Sequence, residues 1–244
     1  MLDLLFLFNK VGENAGNILN YVCLGIIVLV IAVFLVLCLT KKQFDTKEVA
    51  FAGVCLSASF VLSFIKIAPV QYGGSITLAS MLPVMLFAYY YGFAHGLLVG
   101  VIYGVLQFIQ EPYILTPVTF ALDYILAFAS VSLMGIAGKL KEKMNRTGAI
   151  AIGASCVYLC RFLMHFFSGL VYFELGEIWV SLPADSAVVY SLLYQIVYLV
   201  PDFVITLAAF IVLDRTGVID KLRFNSNKKA PAAASVENTS SENK

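Results

Sequence analysis

The sequence predicts an all-α fold, a polytopic bundle of membrane-spanning helices, and three observations predict it. Of 244 residues, 61% are hydrophobic and 13% are charged, against roughly 45–50% and about 25% in soluble globular domains. The apolar residues gather into seven continuous runs between polar punctuation, and a bilayer core about 30 Å thick needs roughly 20 mostly apolar residues per helical span. Thirteen of the sixteen Lys and Arg residues fall on one side of the topology those runs imply. The same arithmetic excludes other classes. A net charge of +1 is not the basic excess with which nucleic-acid binders neutralise phosphates, and a chain this apolar has ample surface to bury, so disorder over most of its length is excluded.

The predicted spans, in order, are Asn17 to Thr40, Val49 to Lys66, Ser75 to Tyr91, Phe93 to Gln110, Thr119 to Leu140, Gly148 to Phe173 and Ser186 to Leu213. Their all-round apolarity fits helices, since a membrane barrel strand alternates over about ten residues. The first run exceeds the roughly 7–15 residues of a secretory signal and lacks a basic leader, so it reads as a retained anchor. Lys41, Lys42 and Lys47 follow it, which by the positive-inside rule puts the amino terminus outside and, after seven spans, the carboxyl terminus in the cytoplasm. The chain then divides into residues 1–48 (extra helix and basic linker), 49–213 (six-helix domain) and 214–244 (polar cytoplasmic tail expected to be disordered). The five cysteines all lie inside spans, where they act as small hydrophobes. Cys156, Cys160 and His165 lack the fourth donor of a tetrahedral metal site.

The second and fourth spans carry small residues at helical spacing. Gly92, Gly96, Gly100 and Gly104 recur every fourth position, a stripe that lets helix backbones approach closely, and internal packing is the simplest reading. Gly53 and Ser57 form a shorter version beside a basic cytoplasmic flank, where a docking surface for a partner helix is the alternative.

Polar groups inside spans need a reason, because an ionisable side chain at the bilayer centre costs about 2.5–3.5 kcal/mol on insertion scales. The topology gathers Asp123, His165, Tyr190 and Gln195 at one depth near the outer face, with Tyr113, Tyr124, Phe173 and Tyr194 nearby and Tyr103 deeper. A carboxylate among aromatic faces suits a small planar cation, which gains ion pairing and a cation–π attraction of up to about 2 kcal/mol when desolvated. The plainer readings stay open: Asp123 pairs with a neighbouring helix, and His165 is a hydrogen-bonded packing residue. Arg161 and Asp202 fall near mid-membrane on adjacent spans and read as a mutual structural ion pair. No Gly-rich loop ending in Gly-Lys-Ser/Thr is present, so ATP energy must come from a partner. No Gly-x-Ser-x-Gly or His-Glu-x-x-His motif marks an enzyme.

Four segments carry a resemblance: Pro69-Val70-Gln71-Tyr72-Gly73-Gly74-Ser75, Leu122-Asp123-Tyr124-Ile125-Leu126-Ala127-Phe128, Arg161 to Gly169, and Tyr190 to Gln195 followed by Val200-Pro201. In this order and topology the chain resembles the thiamine-specific S components (ThiT or YuaJ type) of energy-coupling factor transporters, from about Val49 to Leu213. The resemblance implies a six-helix S-component core plus one extra amino-terminal helix. It implies a membrane subunit that captures thiamine near the outer face and works with a transmembrane coupling subunit and two ATPases. Asp123 becomes the acidic ligand, His165 the imidazole and Tyr190 the phenol. Gln195 stands where asparagine is expected, and Phe173 where some members have tryptophan. Gln71 and Tyr72 belong to the loop that closes over the ligand, and Gly53 and Ser57 fall at a paired-alanine coupling motif. Rival expectations are an S component for another vitamin or precursor, such as a hydroxymethylpyrimidine or riboflavin, and a membrane enzyme built on Arg161, His165 and Asp202.

Overall fold

The computed structural model describes Gly25 and residues 45–70, 74–113, 115–174, 176 and 186–222. The expected span Asn17 to Thr40, the loop residues Gln71 and Tyr72, and the tail beyond Leu222 fall outside the described residues, Gly25 excepted.

Helix α1 (Thr46–Ser63) starts at Asp45, whose side chain and that of Glu48 cap each other's backbone N–H groups, satisfying donors that a helix start leaves open. Its 18 residues span about 27 Å. Strands β1 (Lys66–Pro69) and β2 (Ser75–Thr77) form an antiparallel hairpin. Helix α2 (Leu82–Tyr91) follows, with proline in its first turn.

Here the structure departs from the sequence reading. Ser75 to Tyr91 is not one span: its first residues pair as a strand, and the helix that remains has 10 residues, about 15 Å or half a bilayer core. The helix is apolar all round because it is enclosed by protein. Val84 through Tyr89 are all buried, the situation of a helix in a bundle centre, which hydropathy does not distinguish from one facing lipid.

Gly92, in the positive-φ region at 84°, makes the corner into α3 (Phe93–Gln110). Helix α4 runs from Pro117 to Leu140, 24 residues that include a π-helical stretch over Ala121–Leu126 and a 3-10 turn over Ser130–Leu133. Helices α5 (Arg146–Glu174) and α6 (Ala187–Arg215) have 29 residues each. Among the described residues, α1, α3, α4, α5 and α6 are long and apolar enough to cross a membrane, so this is an all-α, multi-pass membrane fold with one small hairpin.

The glycine stripe is internal. A Cβ at Gly100 would overlap the Phe128 carbonyl, and one at Gly104 the Tyr124 carbonyl, so α3 lies directly on the backbone of α4. Gly53 and Ser57, by contrast, are on the exposed side of α1. At the end of the bundle where α5 begins, Arg146 pairs with Asp214 and Asp220, and Thr147 donates to Asp214 at 2.7 Å. Tyr90 donates to the Ile219 carbonyl. These contacts hold a short helix, α7 (Val218–Leu222), so helical structure continues beyond the boundary expected at Leu213.

Candidate functional site

At the other end of α5, a cavity of about 100 Å³ opens between the hairpin and helices α3 to α6, room for a small organic molecule rather than a single water. Its acid is set by α4. Thr116 and Thr119 cap that helix reciprocally, at 3.2 and 3.1 Å, and Pro117 occupies its first turn. The π-helical stretch that follows contains Asp123. A wider turn changes the direction in which its side chains leave the helix, and such turns are frequent at functional sites. Close packing of Gly104 on Tyr124 fixes the same stretch from behind.

The Asp123 carboxylate faces a stripe on α5. Nδ1 of His165 lies 2.7 Å from Oδ1, while Ser168 donates to Oδ2 at 2.6 Å and Tyr172 at 3.3 Å. One turn back, Arg161 donates from Nε to Nε2 of His165 at 3.2 Å. Its guanidinium sits over the Phe128 ring, 4.7 Å from the centroid, and Nη1 is 4.0 Å from Asp202 Oδ2. Asp202 in turn accepts from the Thr77 N–H at 3.1 Å, the Thr77 hydroxyl at 2.8 Å and Tyr158 at 2.7 Å.

Aromatic walls complete the cavity. Tyr113 stacks on Tyr172 at 5.4 Å and 17°, and Tyr190 on Tyr194 at 5.9 Å and 23°. The Tyr194 hydroxyl accepts from the Gly74 N–H at 3.1 Å, tying α6 to the hairpin side. Tyr124 donates to the Glu111 carbonyl at 2.6 Å and accepts from the Tyr113 N–H at 3.1 Å. Gln195 donates to the His165 carbonyl at 3.0 Å, but its Oε1 is buried with no hydrogen-bond partner among the described residues. A buried acceptor left open costs about 1–3 kcal/mol, so this amide carries an unmet demand for a donor at the cavity wall.

Of the residues singled out from sequence, Asp123, His165, Tyr190, Gln195, Tyr124 and Tyr113 line the cavity. Phe173 lies behind that wall, packed on Tyr190 at 5.7 Å. Tyr103 is fully buried away from it, donating to the Ser59 carbonyl at 3.3 Å. Arg161 and Asp202 face each other at 4.0 Å, the ion pair expected from the sequence at its outer limit, each having closer partners, and both also line the cavity. Sequence reasoning also passed over Ser168 and Tyr172 as partners of Asp123. The signal was present, since residues 161, 165, 168 and 172 fall at helical spacing on one face of α5.

A helix bundle that crosses the membrane several times and holds a polar, aromatic-walled cavity near one end defines a membrane protein of the solute-transport class. A family model described as thiamine transporter protein (Thia_YuaJ) matches residues 49–219, and the chain belongs to that family. Thiamine transporter ThiT of Bacillus subtilis (strain 168) is 32% identical over 146 residues, covering 54% of this chain and 71% of that protein. The solved structure of ThiT from Listeria monocytogenes has a TM-score of 0.60 at 19% identity, covering 70% of this chain and 94% of that one; at this identity the likeness speaks for the fold. Membership in a transporter family removes the enzyme reading of Arg161, His165 and Asp202.

Proposed function

We propose that the chain is the thiamine-capturing S component of an energy-coupling factor importer, and that the cavity around Asp123 is its binding site. The single observation that carries the site is the pairing, in one cavity, of a buried carboxylate with an orphaned amide acceptor between stacked tyrosines. A ligand complementary to that set has one cationic ring for the acid, a planar ring for the aromatic faces and an N–H donor for Gln195 Oε1. Thiamine has these three features in its thiazolium and aminopyrimidine rings. Membership in a thiamine transporter family supports the same ligand.

In this reading thiamine enters from outside, with the amino terminus outside and the carboxyl terminus cytoplasmic. The thiazolium lies beside Asp123, and the aminopyrimidine N–H groups reach Gln195. Tyr190, Tyr124 and Tyr113 enclose the rings, with Phe173 backing Tyr190. Gln71 and Tyr72 contribute from the closing loop. Residues 49–213 supply the binding domain, with 1–48 an added anchor. The chain carries no ATP-binding loop, so transport requires a transmembrane coupling subunit and two ATPase subunits, the former docking at the exposed small residues Gly53 and Ser57.

Calorimetry on the purified protein tests the ligand. Thiamine should bind more tightly than its separate hydroxymethylpyrimidine and thiazole halves, and riboflavin should not compete. Tighter binding of the pyrimidine half alone, or of riboflavin, would replace thiamine as the cargo.

A further inference from the structure

We propose that Arg161 is a positioning residue for ligand binding: by donating to Nε2 of His165 it keeps the imidazole neutral, with its single proton on Nδ1, and so fixes the Asp123 carboxylate. The argument needs only valence. A guanidinium has donors and no acceptor, so the ring nitrogen facing Arg161 Nε at 3.2 Å must offer a lone pair. That nitrogen is Nε2. In the neutral ring the proton then sits on Nδ1, which lies 2.7 Å from Asp123 Oδ1 and donates to it. A protonated, cationic ring would turn an N–H toward the guanidinium and place two positive groups in contact.

Two consequences distinguish this from an ordinary histidine contact. Both ring nitrogens are spent on protein partners, so His165 has no N–H left for a ligand and acts on it through Asp123. The orientation of the acid also rests on groups far along the chain. Arg161 is held over the Phe128 ring and faces Asp202. Asp202 is fixed by Tyr158 on α5 and by both donors of Thr77 on β2. The groups facing His165 are therefore Asp123 on α4, Arg161 on its own helix, and the Tyr198 ring on α6 at 6.1 Å, with Asp202 one residue further out.

The full chain, labelled with 15N-histidine and held in nanodiscs, gives a direct reading. It contains two histidines, and a His95→Gln background leaves His165 alone. Two-bond 1H–15N correlation spectra of ligand-free protein should show one neutral form, protonated at Nδ1. Removing Arg161 alone would strand Asp202, so the test variant is Arg161→Met combined with Asp202→Asn. It should free Nε2 to take a second proton, so that an imidazolium signal appears, and weaken thiamine binding about tenfold, the worth of one net hydrogen bond. Arg161→Lys keeps a donor and should retain the Nδ1–H form and most of the affinity. Asp202→Asn alone should leave the tautomer unchanged.

An Nε2–H or imidazolium signal in the parent protein overturns the proposal. So does a ring that stays wholly neutral, with its proton on Nδ1, in the double variant. The affinity arm rests on thiamine being the ligand, whereas the tautomer arm does not. A parent protein that shows Nδ1–H yet binds no thiamine would refute the proposed cargo and leave the positioning role intact.

Discussion

Replacing Asp123 by asparagine separates charge from shape at the proposed site. Asp123 accepts from His165 on one oxygen and from Ser168 and Tyr172 on the other. In Asp123→Asn the amide oxygen can keep the His165 bond, while the new NH₂ meets two hydroxyls that can each rotate to accept. The fold should therefore survive, and what disappears is one negative charge. A ligand cation about 4 Å away, at an effective dielectric of about 20, interacts with that charge by about 4 kcal/mol. Desolvation of both groups offsets part of this. Retaining about half leaves about 2 kcal/mol, roughly thirtyfold in Kd. The assay is a calorimetric titration of thiamine and, separately, of its uncharged hydroxymethylpyrimidine half into parent and variant of matched melting temperature. Thiamine should weaken roughly thirtyfold and the uncharged half should bind both alike. A change below about threefold for thiamine, or an equal loss for the neutral half, would refute the reasoning that Asp123 acts as the counter-charge.

Three further outcomes follow from the same geometry. Gln195→Leu removes the buried acceptor that has no partner and should weaken the pyrimidine half by about tenfold, the scale of a lost hydrogen bond, in competition binding, while leaving the thiazole half unchanged. Gly104→Ala drives a methyl group into the Tyr124 carbonyl; overpacking of this kind costs about 1–3 kcal/mol, so the melting temperature should fall by several degrees, with ligand affinity falling as the π-helical turn shifts. Asp202→Ala strands Arg161, Thr77 and Tyr158 together and should cut the yield of folded protein by fluorescence size-exclusion, whereas Asp202→Asn, which keeps hydrogen-bonding capacity, should retain most of it.

What the sequence made legible follows from which physics is local. Long apolar runs announced α1, α3, α4, α5 and α6 because the bilayer imposes a length on every crossing helix. The misread element, Ser75 to Tyr91, has the same hydropathy for a different reason: α2 is surrounded by protein, and composition records apolar neighbours without saying whether they are lipid or side chains. The π-helical turn at Asp123 has no local signature either, since it arises where α3 presses Gly104 against the α4 backbone. Asp123, His165, Tyr190 and Gln195 were found because a polar group inside a span is conspicuous. Ser168 and Tyr172 were overlooked because a serine or tyrosine there is cheap, although their spacing from His165 already placed them on its face.

The charges around the cavity explain why so polar a site can persist in the membrane. Asp123, Asp202 and Arg161 line it, and Glu111, also on the wall, is paired with Lys66 on the hairpin. The Glu111 pair cancels, and Arg161 offsets one of the two aspartates. One negative charge is left over, and it resides where three donors already stabilise it. A monovalent organic cation completes the balance, whereas a neutral analogue leaves the acid uncompensated and a dianionic ester adds to the excess. Selectivity by charge is thus set by the pairing of Arg161 with Asp202 as much as by Asp123. Asp202→Asn should shift preference toward ligands with one positive charge fewer, an expectation that competition between thiamine and an isosteric neutral pyridine analogue measures directly.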